Sequence, residues 1–108
     1  MEFRHYLIHG RVQGVWFRAY TRDHATRLGV RGWVRNLRDG GVEAVAAADV
    51  AVLGEFEALL RVGPERGRVD EVQIAEMTAV ELPSDFTIRP DSDGTDATDQ
   101  LADGARQG

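Results

Sequence analysis

The stretch Gly10–Arg18, GRVQGVWFR, joins two patterns of different period. Before it, FRHYLIH (3–9) alternates loosely, with Phe3, Tyr6 and Ile8 as apolar or aromatic members, and predicts a first strand. After it, Phe17, Tyr20, His24 or Ala25, and Leu28 share one helical face. A helix is therefore predicted over 17–28, with Gly29 placed to end it in the left-handed region. From Gln13 to Arg18 (Gln13, Gly14, Val15, Trp16, Phe17, Arg18) the junction offers six backbone N–H groups, with no proline and no acid. Gly14 tolerates the positive φ that turns successive N–H groups inward, and the helix start adds roughly half a positive charge. Arg18 falls in the first turn, where side chains lean back toward the N-terminus, so its guanidinium aims at the same place. This is a cradle for a phosphate. Taken alone, the stretch also fits a plain strand-to-helix connection with a solvated arginine.

The remaining pattern is consistent with one small α+β unit. VRGWVRNLR (30–38) and VEAVAAA (42–48) read as two strands joined through Asp39-Gly40-Gly41, a hairpin. Asp49 is a candidate N-cap for a second helix over 50–62, with Leu53, Phe56, Leu59 and Leu60 on its buried face and Gly63-Pro64 as its stop. A fourth strand is predicted over 68–78, with Val72 and Ile74 facing the same way, and a short fifth over 86–89, ended by Pro90. The order β-α-β-β-α-β plus a last strand is that of the ferredoxin-like split βαβ sandwich, an antiparallel sheet with two helices on one face. In that topology strands one and two run parallel with strand three between them.

Composition narrows the function. The 108 residues make one domain, expected over 1–90, and the apolar share of 43% is ordinary for a globular protein. There is no cysteine, which removes disulfides and thiolate zinc sites. All 13 basic residues are arginine, which removes a Schiff-base lysine and a phosphate-loop lysine. The net charge of −5 argues against a general nucleic-acid binder. No signal peptide and no apolar run of membrane-spanning length is visible, so a cytoplasmic protein is expected. Residues 91–108 carry five Asp and one Arg, a single leucine and no aromatic residue, and are expected to be disordered.

Asn36 shares a parity with Val30 and Val34, so it is expected to face the helices near the end of the second strand, where Arg18 reaches. A carboxamide there can hold a water with donor and acceptor together, or cap the hairpin turn. With these residues in view the chain resembles the acylphosphatase family. The resemblance rests on Gly10-Arg11-Val12-Gln13-Gly14-Val15, Phe17-Arg18, Gly32-Trp33-Val34-Arg35-Asn36, Asp39-Gly40 and Val42-Glu43. Gly63-Pro64, Arg68-Val69-Asp70 and Phe86-Thr87-Ile88 add to it, so that it spans most of 3–89. It implies hydrolysis of small-molecule acyl phosphates by a monomer, without metal or cofactor. Arg18 would bind the phosphoryl group, Asn36 would orient the attacking water, and the backbone of 13–18 would complete the cradle. Pro90, Arg38 and the acidic tail depart from the family pattern.

Other residues carry weaker signals. Trp16 reads either as a contact for the acyl portion or as packing, and Thr21 as a support for the loop or as part of the packed helix face. His5 and His9 lie about 13 Å apart along a strand, too far for one zinc ion, and His24 is expected at the helix–sheet boundary. Asp70 is expected to pair with an arginine or end a turn. Two rivals stand beside the enzyme: an RNA-recognition module, which shares the element order, and a non-catalytic module that binds phosphate or carbamoyl phosphate.

Overall fold

In the computed structural model, which describes residues 1–91, seven elements follow in order. They are β1 (Glu2–Arg11), α1 (Phe17–Leu28), β2 (Arg31–Asn36), β3 (Val42–Ala48), α2 (Val50–Val62), β4 (Arg68–Met77) and β5 (Phe86–Ile88). The tail expected to be disordered lies outside the described residues except for Asp91. The strands form one sheet in the order β4-β1-β3-β2-β5. β3 pairs antiparallel with β1 on one side and β2 on the other, so β1 and β2 run parallel, as expected. Ile8 of β1 and Asn36 of β2 are both partnered by Val42, which brings the C-terminal ends of the two strands to one edge of the sheet.

The sheet is mixed, where a purely antiparallel one was expected. β5 runs parallel to β2, with Gly32 opposite Phe86 and Val34 opposite Ile88. The reason is the route of the chain after β4. Val80 and Leu82 pack with Trp33, Val45 and Ala47 on the sheet face away from the helices, so this segment crosses the whole sheet before β5 begins. Arg31 fixes the crossing by donating to the Leu82 and Pro83 carbonyls at 3.0 Å each. Pro90 does not disturb the pairing: the Arg89 N–H still donates to the Val34 carbonyl at 2.9 Å.

The helix-covered face holds the main core, with Tyr6, Ile8, Val34, Phe17, Leu53 and Phe56 fully buried. Alternation along the strands puts Ala44, Ala46 and Ala48 there too, and these small side chains leave room for α2 to pack on β3. The buried stripe of α1 is Phe17, Thr21 and Ala25. Tyr20 and Leu28, expected in that stripe, are half-buried, because Tyr20 lies between the helices and donates to the Leu59 carbonyl at 2.7 Å. In α2, Glu57 is buried where Leu59 was expected. Its carboxylate accepts from the Tyr6 hydroxyl at 2.8 Å and from Arg4 at 2.6 Å. Burial, with this carboxylate beside it, pushes the Tyr6 phenol well up from its ordinary value. Asp49 occupies the N-cap position of α2, but its side chain makes no cap bond.

On the far face Glu43 is completely buried between two bases. It accepts from Arg35 Nε at 2.7 Å and pairs with His5 Nε2 at 2.6 Å. The Arg35 guanidinium also lies over the Trp33 ring, 4.9 Å from its centre.

Candidate active site

The cradle begins where β1 loses its register. A bulge falls between His9 and Gly10, and a Cβ on Gly10 would sit 2.1 Å from the Arg68 carbonyl oxygen. Only glycine lets β4 approach there while the chain turns off the sheet. Gln13 then turns its side chain away from the cradle. Its Nε2 donates to the Leu37 and Gly41 carbonyls at 2.7 and 2.8 Å and ties the loop to the β2–β3 hairpin. The hairpin is itself braced by Asp39, whose carboxylate accepts the Gly41 N–H at 2.8 Å. That bond, with His9 3.3 Å away, holds the Asp39 carboxyl below its usual range.

Gly14 takes φ 74°, as its place in a nest requires. Val15 is buried, and Trp16 follows at φ 66°, the one non-glycine residue with positive φ among the described residues. Trp16 is the N-cap of α1 and makes no side-chain cap bond, and the first turn carries no acid. The start of α1 thus presents N–H groups that no side chain covers. Trp16 is 79% exposed, which rules out the packing reading of this residue.

A cavity of about 480 Å³ opens at this helix start. Val12, Phe17, Ala19 and Ile88 form its apolar wall, and Trp16 stands at its rim. Gly14, Arg18, Arg22 and Asn36 supply the rest, with no carboxylate, imidazole or thiol among the lining residues. The structure therefore brings Gly14, Trp16, Phe17, Arg18 and Asn36 to one space. The side chains of Gln13 and Val15 do not line it, although their backbone forms the loop.

Asn36 points toward the helices, as its parity predicts, and is 8% exposed. Its Oδ1 is buried with no hydrogen-bond partner, so the turn-capping reading does not hold. Arg18 is half-buried and pairs with Asp91, Nη1 to Oδ1 3.1 Å. Thr21, one turn on, is fully buried and its Oγ1 likewise has no partner; it belongs to the packed face of α1.

Sequence reasoning missed Arg22 and Asp91. The first had a signal, since it lies four residues beyond Arg18 on the same helical face. The second had none, because Asp91 reaches Arg18 across 73 positions of the chain. The histidines stay apart: His5 pairs with Glu43, His9 with Asp39, and His24 meets the Tyr20 ring edge-to-face and bonds Arg27 on the outside of α1. Asp70 pairs with Arg68 at 2.9 Å. No group of acids and histidines able to hold a metal ion occurs among the described residues.

The family model for acylphosphatases matches residues 4–88. An acylphosphatase of Nitrosococcus oceani is 52% identical over 83 residues, 77% of this chain and 92% of that protein. Among solved structures, acylphosphatase from Bacillus subtilis superposes with a TM-score of 0.79 at 30% identity, over 82% of this chain and 99% of that one. Full-length HypF, in its phosphate- and nucleotide-bound form, gives a TM-score of 0.77 at 27% identity, over 86% of this chain but 12% of HypF. On the match over residues 4–88 and the likeness to these full-length relatives, the chain belongs to the acylphosphatase family.

Proposed function

We propose that this cavity hydrolyses the carboxyl–phosphate bond of small acyl phosphates, giving a carboxylate and inorganic phosphate, with Arg18 and Asn36 as its catalytic residues. The activity is that of an acylphosphatase, a hydrolase acting on acid anhydrides. One observation carries the assignment of roles: Arg18 and the orphaned Asn36 amide line the same cavity at an uncapped helix start.

In this reading Arg18 clamps two phosphoryl oxygens, and the N–H groups of residues 13–18 surround the third. Asn36 orients a water with its side-chain amide and aims it at phosphorus, opposite the acyl oxygen. The water oxygen forms the new P–O bond as the P–O bond to the acyl group breaks, and the electron pair leaves on the carboxylate. The water proton passes to a phosphoryl oxygen. A carboxylate is a good leaving group, so no general acid is needed, and positioning with charge stabilisation supplies the rate. We read the reaction as free of metal and cofactor, with charge stabilisation supplied by Arg18 and the loop N–H groups. We further place this chemistry in a monomeric cytoplasmic domain over 1–90, with the acidic 91–108 segment outside it; no helix among the described residues is long and apolar enough to cross a membrane.

A non-catalytic phosphate-binding module is the second reading, favoured by the likeness to a 12% portion of HypF. Hydrolysis of acetyl phosphate or benzoyl phosphate, measured with a chelator present, separates the two. Arg18→Ala and Asn36→Ala should each remove most of the turnover, about 10²-fold or more, and Arg18→Ala should also weaken phosphate binding. Saturable phosphate binding without turnover would favour the module, and normal turnover by Asn36→Ala would remove that residue from the mechanism.

A further inference from the structure

We propose that the acyl group of the preferred substrate ends in a second anion, a carboxylate, and that Arg22 receives it. The proposal rests on the reading of the cavity as an acyl phosphate site and names the substrate class within it.

Arg22 lies one turn beyond Arg18 in α1, and both line the cavity. Their Cβ atoms are therefore about 5–6 Å apart on one helix face. This placement works against the helix. Two like charges at that spacing repel, and cations in the first half of a helix oppose its macrodipole. The first turn of α1 contains no acid to relieve them. Arg22 gains little elsewhere: its Nε meets the carboxylate of the adjacent Asp23 at 3.2 Å, and that pair is well exposed. Such a pair contributes little, and the two terminal nitrogens of Arg22 have no partner among the described residues. A local arrangement that disfavours folding, confined to the lining of a cavity, is the mark of a site.

A phosphoryl group accounts for Arg18, Asn36 and the loop, but not for Arg22. Four residues of helix, about 6 Å of rise, separate the backbone positions of the two arginines along the axis. An acyl chain of four carbons with a terminal carboxylate spans that interval, its methylenes against Ala19 and Ile88 and its far end at Arg22. A monocarboxylic acyl phosphate such as acetyl phosphate leaves Arg22 unused.

The test compares succinyl phosphate with acetyl phosphate, using wild type, Arg22→Gln and Arg22→Lys. Arg22→Gln should lose about five- to tenfold more in kcat/KM on succinyl phosphate than on acetyl phosphate. The difference should appear in KM, as for an interaction made equally in the ground and transition states, and should shrink at high salt. Arg22→Lys, which keeps the charge, should recover most of the selectivity. Equal losses on the two substrates, or none on succinyl phosphate, would overturn the role of Arg22 while acetyl phosphate turnover kept the site reading intact. Absence of turnover on both substrates by wild type would overturn the site reading and this proposal with it.

Discussion

Replacing Asn36 by leucine should make the protein more stable and nearly inactive. Asn36 is the last residue of β2, is 8% exposed, and keeps its Oδ1 buried with no partner. A buried acceptor without a hydrogen bond costs about 1–3 kcal/mol. The neighbouring opening of the cavity admits solvent to part of the amide, so the lower end of that range applies, about 1 kcal/mol. Leucine is close to asparagine in shape and carries no polar atom, so it removes this cost and adds apolar contact with Val12 and Ile88 of the cavity wall. For a domain of this size 1 kcal/mol corresponds to about 4–8 °C in melting temperature. The same change removes the group proposed to position the water, a loss of about 10²–10³-fold in kcat. Thermal melts followed by circular dichroism, with phosphate release from acetyl phosphate measured on the same samples, read both quantities. Asn36→Asp keeps the shape and tests the charge: a carboxylate facing the bound phosphate should also lose turnover and weaken phosphate binding. A leucine variant that melts lower than wild type, or keeps more than about a tenth of its kcat, would refute the reasoning.

Thr21→Val should raise the melting temperature, because it removes another buried polar atom without a partner from the packed face of α1; a lower value would mean that the hydroxyl supports the loop. Glu43→Ala should cost about 3–5 kcal/mol, measured by urea unfolding, since it breaks the buried ion pair with Arg35 and removes the carboxylate that meets His5; a loss under about 1 kcal/mol would show that this pair contributes little to stability. Asp91→Asn should tighten binding of inorganic phosphate by less than about fivefold at low salt, because the carboxylate competes for Arg18 in an exposed pair, and calorimetry at high salt should show no difference. Asp39 has a folded pKa below its unfolded value, so its contribution to stability is complete above the unfolded value, about 4, and is lost as pH falls through the folded one. Asp39→Asn should accordingly flatten the acid limb of the stability–pH curve, and an unchanged slope would remove the hairpin from acid sensitivity.

The fold was legible where one period dominates. The helices, the hairpin and the pairing of β1 with β3 all follow from apolar spacing and from glycines placed at the turns. The parity of Val34 and Asn36 correctly turned the amide toward the helices, because a strand has only two faces to choose between. What escaped the sequence depended on partners far along the chain. Glu57 reads as a surface acid on α2, and only the Tyr6 hydroxyl and Arg4, brought from β1, allow it to be buried. The parallel pairing of β5 depends on a segment without periodicity that crosses the far face of the sheet. No local pattern encodes that route.

The same contrast locates the site independently of any relative. Over most of the described residues local preference and global structure agree: strands alternate, Gly29 and Gly63 end their helices at positive φ, and Glu43 and Glu57 are matched by cations. Several disagreements gather around one helix start. Trp16 holds a left-handed conformation that glycine would adopt at less cost, and leaves its indole exposed. Arg18 and Arg22 crowd positive charge where the helix dipole disfavours it, and Asn36 buries an acceptor with nothing to accept from. Each feature alone is a minor defect. In the reading proposed above, a phosphoryl dianion would pair Arg18 and the uncapped N–H groups, a carboxylate on the acyl group would pair Arg22, and a bound water would meet the amide. These are the defects that the proposed ligand, the mixed anhydride of phosphate and a carboxylic acid, would relieve.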